Sequence, residues 1–151
     1  MVFVNEEKGT VVTVLGKEGN DCAVEALEYV TRKVAKSLRA TRSMDKMESF
    51  KIALYLLRSV PIEKHVKSTY TGKAKLNMGT DEFDLDFGTR LATARARRAY
   101  WRDVAAYMAE VEDFLHSLFS SFSFKVDGVL GTLSHFEDAV AELHEESEKA
   151  E

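Results

Sequence analysis

The sequence is poor in the residues that shape unusual folds, with one cysteine, one proline and eight glycines in 151 residues. Scarce glycine and proline exclude a collagen-like or low-complexity chain, and the single cysteine, Cys22, has no partner for a disulfide within the chain. A lone thiol is typical of a reducing compartment, so we expect a cytoplasmic protein. Because 45% of the residues are hydrophobic and 30% are charged, the composition predicts a folded globular domain.

Sequence signals for membranes, export and common enzymes are also missing. The apolar runs are far shorter than the roughly 20 residues that a membrane span needs, and MVFVNEEKGT lacks the regions of a signal peptide. There is no P-loop, dinucleotide-binding fingerprint, zinc-protease motif or nucleophile elbow. The four histidines do not have metal-ligand spacing. We therefore expect no catalytic residue, no metal site and no cofactor.

Charge is distributed unevenly along the chain, although the net charge is only −4. Residues 21–80 carry twelve basic and six acidic side chains, whereas residues 81–151 carry seven basic and sixteen acidic ones. A basic middle and an acidic C-terminal part favour binding of an oppositely charged partner. The same pattern also fits solvated faces, or faces that pair within the fold or between subunits.

Hydrophobic periodicity predicts a single α+β domain, in which a small antiparallel sheet of two or three strands accompanies four main helices. The last helix is expected to start at the capping box that Ser134 and Glu137 form. The predicted elements are a β-hairpin over residues 1–19, two helices over 20–60, a strand over 68–76, a long helix over 84–119 and an acidic C-terminal helix over 133–151.

The predicted long helix carries an apolar stripe with the seven-residue repeat of a coiled coil. A helix of about 30 residues is roughly 45 Å long, so another helix of the chain or a second subunit must cover the stripe. We expect a homo-oligomer assembled on it. This heptad stripe consists of Phe87, Ala94, Trp101, Met108 and Leu115, with Val104, Val111 and Leu118 three positions later and Arg90 and Arg97 at the equivalent positions of the first half.

Five arginines surround two aromatic residues in the same helix. Guanidinium groups bind phosphate with paired hydrogen bonds, and aromatic rings stack on nucleobases. Arg90 and Arg97 share a helix face, with Arg98 and Trp101 beside it, so these four are the candidate ligand-binding residues for a small nucleotide. The alternative is that Trp101 lies in the core and the arginines pair with neighbouring acids.

Four carboxylates precede the long helix, and they allow two interpretations. Clustered carboxylates provide the oxygen ligands of divalent cations. Acids at a helix start also accept hydrogen bonds from free backbone amides and complement the helix dipole. We favour the structural role, with Arg90 neutralised by the same group. The four residues are Asp81, Glu82, Asp84 and Asp86.

Residues 72–95 read GKAKLNMGTDEFDLDFGTRLATAR. A strand ending in G-x-A-K and followed by D-x-F-D-x-x-x-G-x-x-L-A resembles a pattern in small proteins of phages and prophages of Gram-positive bacteria. The opening VNEEKGTVVTVL is similar to the first strands of such proteins. In physical terms, Asp84 caps the helix and Gly88 permits close packing against the strand. The motif residues are Gly72, Ala74, Lys75, Asp81, Phe83, Asp84, Gly88, Leu91 and Ala92.

Some similar phage proteins are anti-defence factors, including the Thoeris anti-defence sponges, which capture a cyclic ADP-ribose signal as homo-oligomers. The resemblance implies a phage protein that sequesters a nucleotide immune signal without turnover, with the arginine–aromatic group holding the pyrophosphate and the base. Two alternatives stay open. The acidic surface would let the chain inhibit a host or defence protein, such as a CRISPR factor. The basic segment 32–42 and the arginines of 90–102 would bind nucleic acid, which a pI of about 5.6 disfavours.

Overall fold

The computed structural model describes residues 1–16, 19–75, 84–120 and 126–149. These residues form three strands and four helices, and the strands make one antiparallel sheet in the order β1-β2-β3. The predicted α+β class is therefore confirmed. The elements are β1 (Val2–Asn5), β2 (Thr10–Leu15), α1 (Cys22–Arg42), α2 (Lys46–Leu57), a 3-10 turn (Ile62–Lys64), β3 (Tyr70–Lys75), α3 (Leu85–Leu118) and α4 (Asp127–Lys149).

Three helices begin at an aspartate whose side chain accepts hydrogen bonds from first-turn amides, which have no carbonyl partner within the helix. Asp21, Asp45 and Asp84 each accept hydrogen bonds from amides of the following first turn, at distances between 2.7 and 3.3 Å. This confirms the structural role that the sequence favours for Asp84. Asp86 pairs with Arg90, its carboxylate lying 3.3 Å from Nε. Asp81 and Glu82, the other two carboxylates before this helix, lie outside the described residues, as does Phe83 of the motif.

The sheet packs against α3 through residues that have almost no side chain. Buried and exposed residues alternate along β3, and a Cβ atom at Gly72 would lie only 1.8 Å from the carbonyl oxygen of Ala92. Gly88 makes the matching approach from the helix, since its Cβ would lie 2.8 Å from Cγ2 of Val11. Gly88 therefore permits close packing against the sheet, but its contact is with Val11 of β2 instead of the predicted lysine-bearing strand β3, where Gly72 permits an even closer approach.

The start of α4 differs from the prediction. The helix begins at Asp127 instead of residue 133, so Ser134 lies inside it and the predicted capping box is not used. The carbonyl of Val126 accepts the first helical hydrogen bonds. Val129 is 1% exposed in the core, and its burial extends the apolar face by two turns towards the N-terminus. Tertiary packing thus outweighs the helix-weakening effect of two glycines in these turns.

The heptad stripe is part of the core of a single chain. Val104, Met108, Val111 and Leu115 are 0% exposed and belong to a cluster built with α1, α2 and the 3-10 turn. Ala94 belongs to a second cluster, where α3 meets the sheet and α4. The stripe therefore offers no continuous exposed face, and its burial does not support the predicted assembly of a homo-oligomer on it. The apolar repeat marks a covered face, and this chain covers it with its own elements.

Three tyrosines are buried around this core, and burial raises the pKa of each hydroxyl above its usual range. The hydroxyl of Tyr107 donates to the carbonyl of Val60 at 3.0 Å. That of Tyr70 donates to Asp103 at 2.8 Å and accepts from the amide of Lys67 at 3.0 Å. The third is Tyr100, whose ring meets that of Tyr70 edge to face.

We expect the free energy of unfolding to fall as the pH rises above about 10, where tyrosine ionises in the unfolded chain. The folded state keeps its buried tyrosines protonated, so each contributes a slope of up to about 1.4 kcal/mol per pH unit. Urea unfolding between about pH 8 and pH 11 measures this slope. Tyr107→Phe should reduce it, whereas Tyr55→Phe, at a residue that is 70% exposed, should not. A flat profile would contradict the prediction.

Candidate functional site: two clefts that meet at Arg97

Helix α4 lies antiparallel along α3, and three arginines of α3 face it. The guanidinium carbon of Arg97 lies 5.6 Å from the ring centre of Phe136. Towards the start of α3, the contacts continue with residues nearer the end of α4. Arg95 reaches Nε2 of His144 at 3.0 Å, and Arg90 lies 3.9 Å from the carboxylate of Glu146.

The first cleft, which we call the α3–α4 cleft, opens between these two helices and has a volume of about 410 Å³. Arg90 and Arg97 contribute its positive charge, and Glu142 and Glu146 contribute its negative charge. Its remaining wall is small or apolar. The lining residues of that wall are Thr89, Thr93, Ala94, Phe136, Ala139 and Leu143.

The second cleft, which we call the hairpin cleft, lies between the end of β2, the start of α1 and α3, with a volume of about 620 Å³. It contains Tyr100, Trp101 and Glu25, and it shares Arg97 and Phe136 with the α3–α4 cleft. The cation–π pair of Arg97 and Phe136 thus forms a boundary that belongs to both clefts.

Trp101 combines the two roles that the sequence left open. Its ring packs edge to face on Tyr29 at 5.5 Å and on Tyr100 at 5.2 Å between centroids, so it belongs to the edge of the core. It is nevertheless only partly buried and lines the hairpin cleft. A ring held on two sides by other rings is a rigid surface for a planar ligand.

The arginines differ sharply in their partners. Arg90 pairs with Asp86, and Arg102 pairs with Asp103 at 3.3 Å. Arg97 and Arg98 make no ion pair with any carboxylate in the described part of the chain. Of the predicted site residues, the structure brings Arg90, Arg97 and Trp101 to the clefts. Arg98 is exposed and lines neither cleft.

Sequence analysis missed Phe136, Glu25 and Glu142 as cleft residues. The apolar period of the last helix places Phe136 on its inner face, which is a signal for burial but not for an arginine partner 39 residues earlier. The two glutamates carry no sequence signal that separates them from other surface acids. They matter because a carboxylate accepts hydrogen bonds from hydroxyl and amino groups of a ligand.

Cys22 also lines the hairpin cleft, but its thiol is not activated. The residue is 4% exposed, and burial, helped by the nearby carboxylates of Glu25 and Asp21, raises the pKa of the thiol to about 11. A neutral buried thiol is a poor nucleophile. The clefts therefore provide guanidinium donors, aromatic rings and carboxylate acceptors, which are groups that bind a ligand.

Comparison with known proteins adds no relative: no family model, no curated protein and no solved structure matches the chain. In the described ranges no group of three metal-ligating side chains could hold a metal ion. None of the helices in these ranges has a stretch long and apolar enough to cross a bilayer.

Proposed function

We propose that this protein binds a small nucleotide, without turning it over, in the two clefts that meet at Arg97. One observation carries the proposal. The guanidinium of Arg97 lies over the ring of Phe136, lines both clefts and has no carboxylate partner in the described residues. An arginine held on an aromatic ring and free of an ion pair keeps its hydrogen-bond donors available for phosphate.

The other cleft residues suit the remaining parts of a nucleotide. The rings of Trp101 and Tyr100 provide apolar surface against which a base packs. Glu25 in the hairpin cleft and Glu142 in the α3–α4 cleft provide acceptors for ribose hydroxyls or an exocyclic amine. Both clefts hold acids as well as arginines, which favours a ligand with few phosphates and several hydroxyl groups over a polyanion.

The biological part of the proposal rests on the resemblance to small phage and prophage proteins. We propose that the chain acts in the host cytoplasm as an anti-defence sponge, which lowers the free concentration of a cyclic ADP-ribose-like immune signal. The neutral thiol of Cys22 supports sequestration, because it provides no activated nucleophile beside the proposed ligand.

Arg97→Ala should weaken nucleotide binding about tenfold to a hundredfold, since a charged hydrogen bond to phosphate contributes on the order of 1.5–3 kcal/mol. Arg97→Lys should restore only part of the affinity, because an ammonium cannot form the bidentate contact. Thermal-shift screening of cyclic nucleotides and ADP-ribose derivatives identifies the ligand, and isothermal titration calorimetry then measures the affinities.

Arg98→Ala is the matched control, because it removes the same charge from the next residue, outside both clefts. It should leave the affinity unchanged. A ligand whose affinity falls with Arg98→Ala but not with Arg97→Ala would move the site to the other side of α3. A screen without any ligand would contradict the proposal.

An alternative function, inhibition of a host or defence protein, is favoured by the outer face of α4. Glu137, Asp138 and Glu148 are exposed there and make no ion pair with a cation in the described ranges. Deleting residues 147–151 removes part of this charge and keeps Leu143, which is 8% exposed, in the core. The deletion should weaken such an inhibitor and spare nucleotide capture.

A further inference from the structure

A third cleft, remote from Arg97, runs between α1 and the first turns of α2 and has a volume of about 690 Å³. Among the described residues, five cationic side chains line it and no acidic one does. We call it the basic groove. Its lining residues are Arg32, Lys33, Ala35, Lys36, Arg39, Lys46, Met47 and Phe50.

The floor of the basic groove is apolar and open to solvent. Met47 is 64% exposed, and Phe50 is partly buried beside it. Further along the same helix Tyr55 is 70% exposed and Leu54 39% exposed. Adjoining exposed apolar side chains on one helix indicate a surface that a partner covers.

The cations on the rim are available to a partner to different degrees. Arg32 pairs with Glu28 at 2.7 Å, and the ammonium of Lys33 lies 5.3 Å from the ring centre of Tyr29. Lys36 and Lys46, on opposite sides of the floor, are exposed and make no ion pair with the described carboxylates. Free cations beside an apolar floor fit the acidic face of a helix that also exposes a few apolar side chains. Nucleic acid phosphates would use the rim but leave the floor uncovered.

The chain itself contains a helix whose exposed face is acidic. Residues 137–149 of α4 carry six acidic side chains and one lysine. At 100° per residue, Asp138 and Glu145 lie opposite the buried face of Val140 and Leu143, and they point away from α3. Two exposed apolar residues of α4, Leu130 and Ala141, lie on the margin of this acidic face.

The acidic face cannot reach the basic groove of its own chain. A Cβ atom at Gly128, in the first turn of α4, would lie 3.5 Å from Nζ of Lys33, so α4 starts beside the groove. It then runs along α3 towards Arg90, as the contact with Glu146 shows. At 1.5 Å per residue, the acids from Glu137 to Glu148 lie about 14 to 30 Å farther along the helix axis.

We propose that the acidic outer face of α4 from a second copy of this chain docks in the basic groove. The contact joins two different surfaces, so the subunits form a dimer with two reciprocal contacts, a closed ring or an open filament. This docking uses neither the heptad stripe nor the Arg97 clefts. An experiment that disproves it would therefore leave the proposed nucleotide binding unaffected.

Light scattering coupled to gel filtration tests the proposal. At about 0.05 M salt we expect a mass at least twice the 17.0 kDa of one chain, and at about 0.5 M salt a shift towards the monomer, because exposed charges are screened. The groove variant Lys36→Glu/Lys46→Glu and the helix variant Asp138→Lys/Glu145→Lys should each be monomeric at low salt. An equimolar mixture of the two should associate again, because the groove of one and the helix of the other would both be intact.

Matched controls change the same net charge elsewhere on the surface. Lys64→Glu/Lys67→Glu and Glu6→Lys/Glu7→Lys, at exposed residues outside the groove and α4, should keep the association of the parent chain. A parent chain that is monomeric at low salt would overturn the proposal, as would an oligomer that the groove and helix variants leave intact. Fluorescence anisotropy with a labelled oligonucleotide tests whether the basic groove binds nucleic acid instead. Tight binding that only the groove variant loses, from a chain that stays monomeric, would assign the groove to nucleic acid instead.

Discussion

Met108→Lys should unfold the protein instead of dissociating an assembly. Met108 is 0% exposed, and its neighbours Val104, Tyr107 and Val111 are equally buried. An unpaired ammonium at this depth costs several kcal/mol, a large part of the roughly 5–15 kcal/mol by which a typical domain is stable. We expect loss of the helical circular dichroism signal at 25 °C, or a melting temperature lowered by about 10 °C or more.

Ala109→Lys is the control for this substitution, since it places the same charge on the adjacent, exposed residue. Its melting curve should match that of the parent chain. The opposite result for Met108→Lys, a natively folded monomer obtained from a parent oligomer, would contradict the burial of the heptad stripe. It would show instead that a second subunit covers the stripe.

Gly72→Ala should produce a destabilisation out of proportion to one methyl group. The added Cβ would lie 1.8 Å from the carbonyl oxygen of Ala92 and 2.7 Å from the amide nitrogen of Ala96. Both are backbone atoms of α3, which cannot rotate away as a side chain does. The strand and the helix must therefore separate, and we expect a loss of about 3 kcal/mol or more in the free energy of unfolding.

Urea unfolding followed by circular dichroism measures this loss, and Gly131→Ala is the matched control. A Cβ at Gly131, in the second turn of α4, meets no atom within 4 Å. The control should be stabilised by about 0.5 to 1 kcal/mol, because alanine loses less conformational entropy in a helix. Equal stability of Gly72→Ala and the parent chain would mean that the sheet and α3 are less closely packed than the structure shows.

The features that the sequence determines by itself are those that depend on neighbours a few residues away. Asp21, Asp45 and Asp84 cap helices through hydrogen bonds to amides two or three residues later, so their type and position are sufficient. The alternation of β3 is readable for the same reason, because successive side chains of a strand point to opposite faces. Together with apolar periodicity, these local rules predict the α+β class and the long helix.

Local rules predict only part of the candidate binding site. Arg90 and Arg97 share a face because they are seven residues apart on one helix, which the sequence states directly. Whether each arginine is free depends on what packs against it. Arg97 faces Phe136, whereas Arg95 is bound to the carbonyl of Lys73 at 2.6 Å. These partners are 39 and 22 residues away in the chain.

Only the tertiary structure decides what covers the heptad stripe and where α4 begins. An apolar repeat records that a helix face is removed from water, and burial by the same chain or by another leaves the same pattern. From the sequence alone, Met108 could be buried by its own chain or by a second subunit, and only the positions of α1 and α2 decide between the two. Val129 starts α4 early because it enters the core, against the local preference of Gly128 and Gly131. The hydrophobic effect is not directional, so sequence specifies that a residue is buried, and packing alone specifies against what.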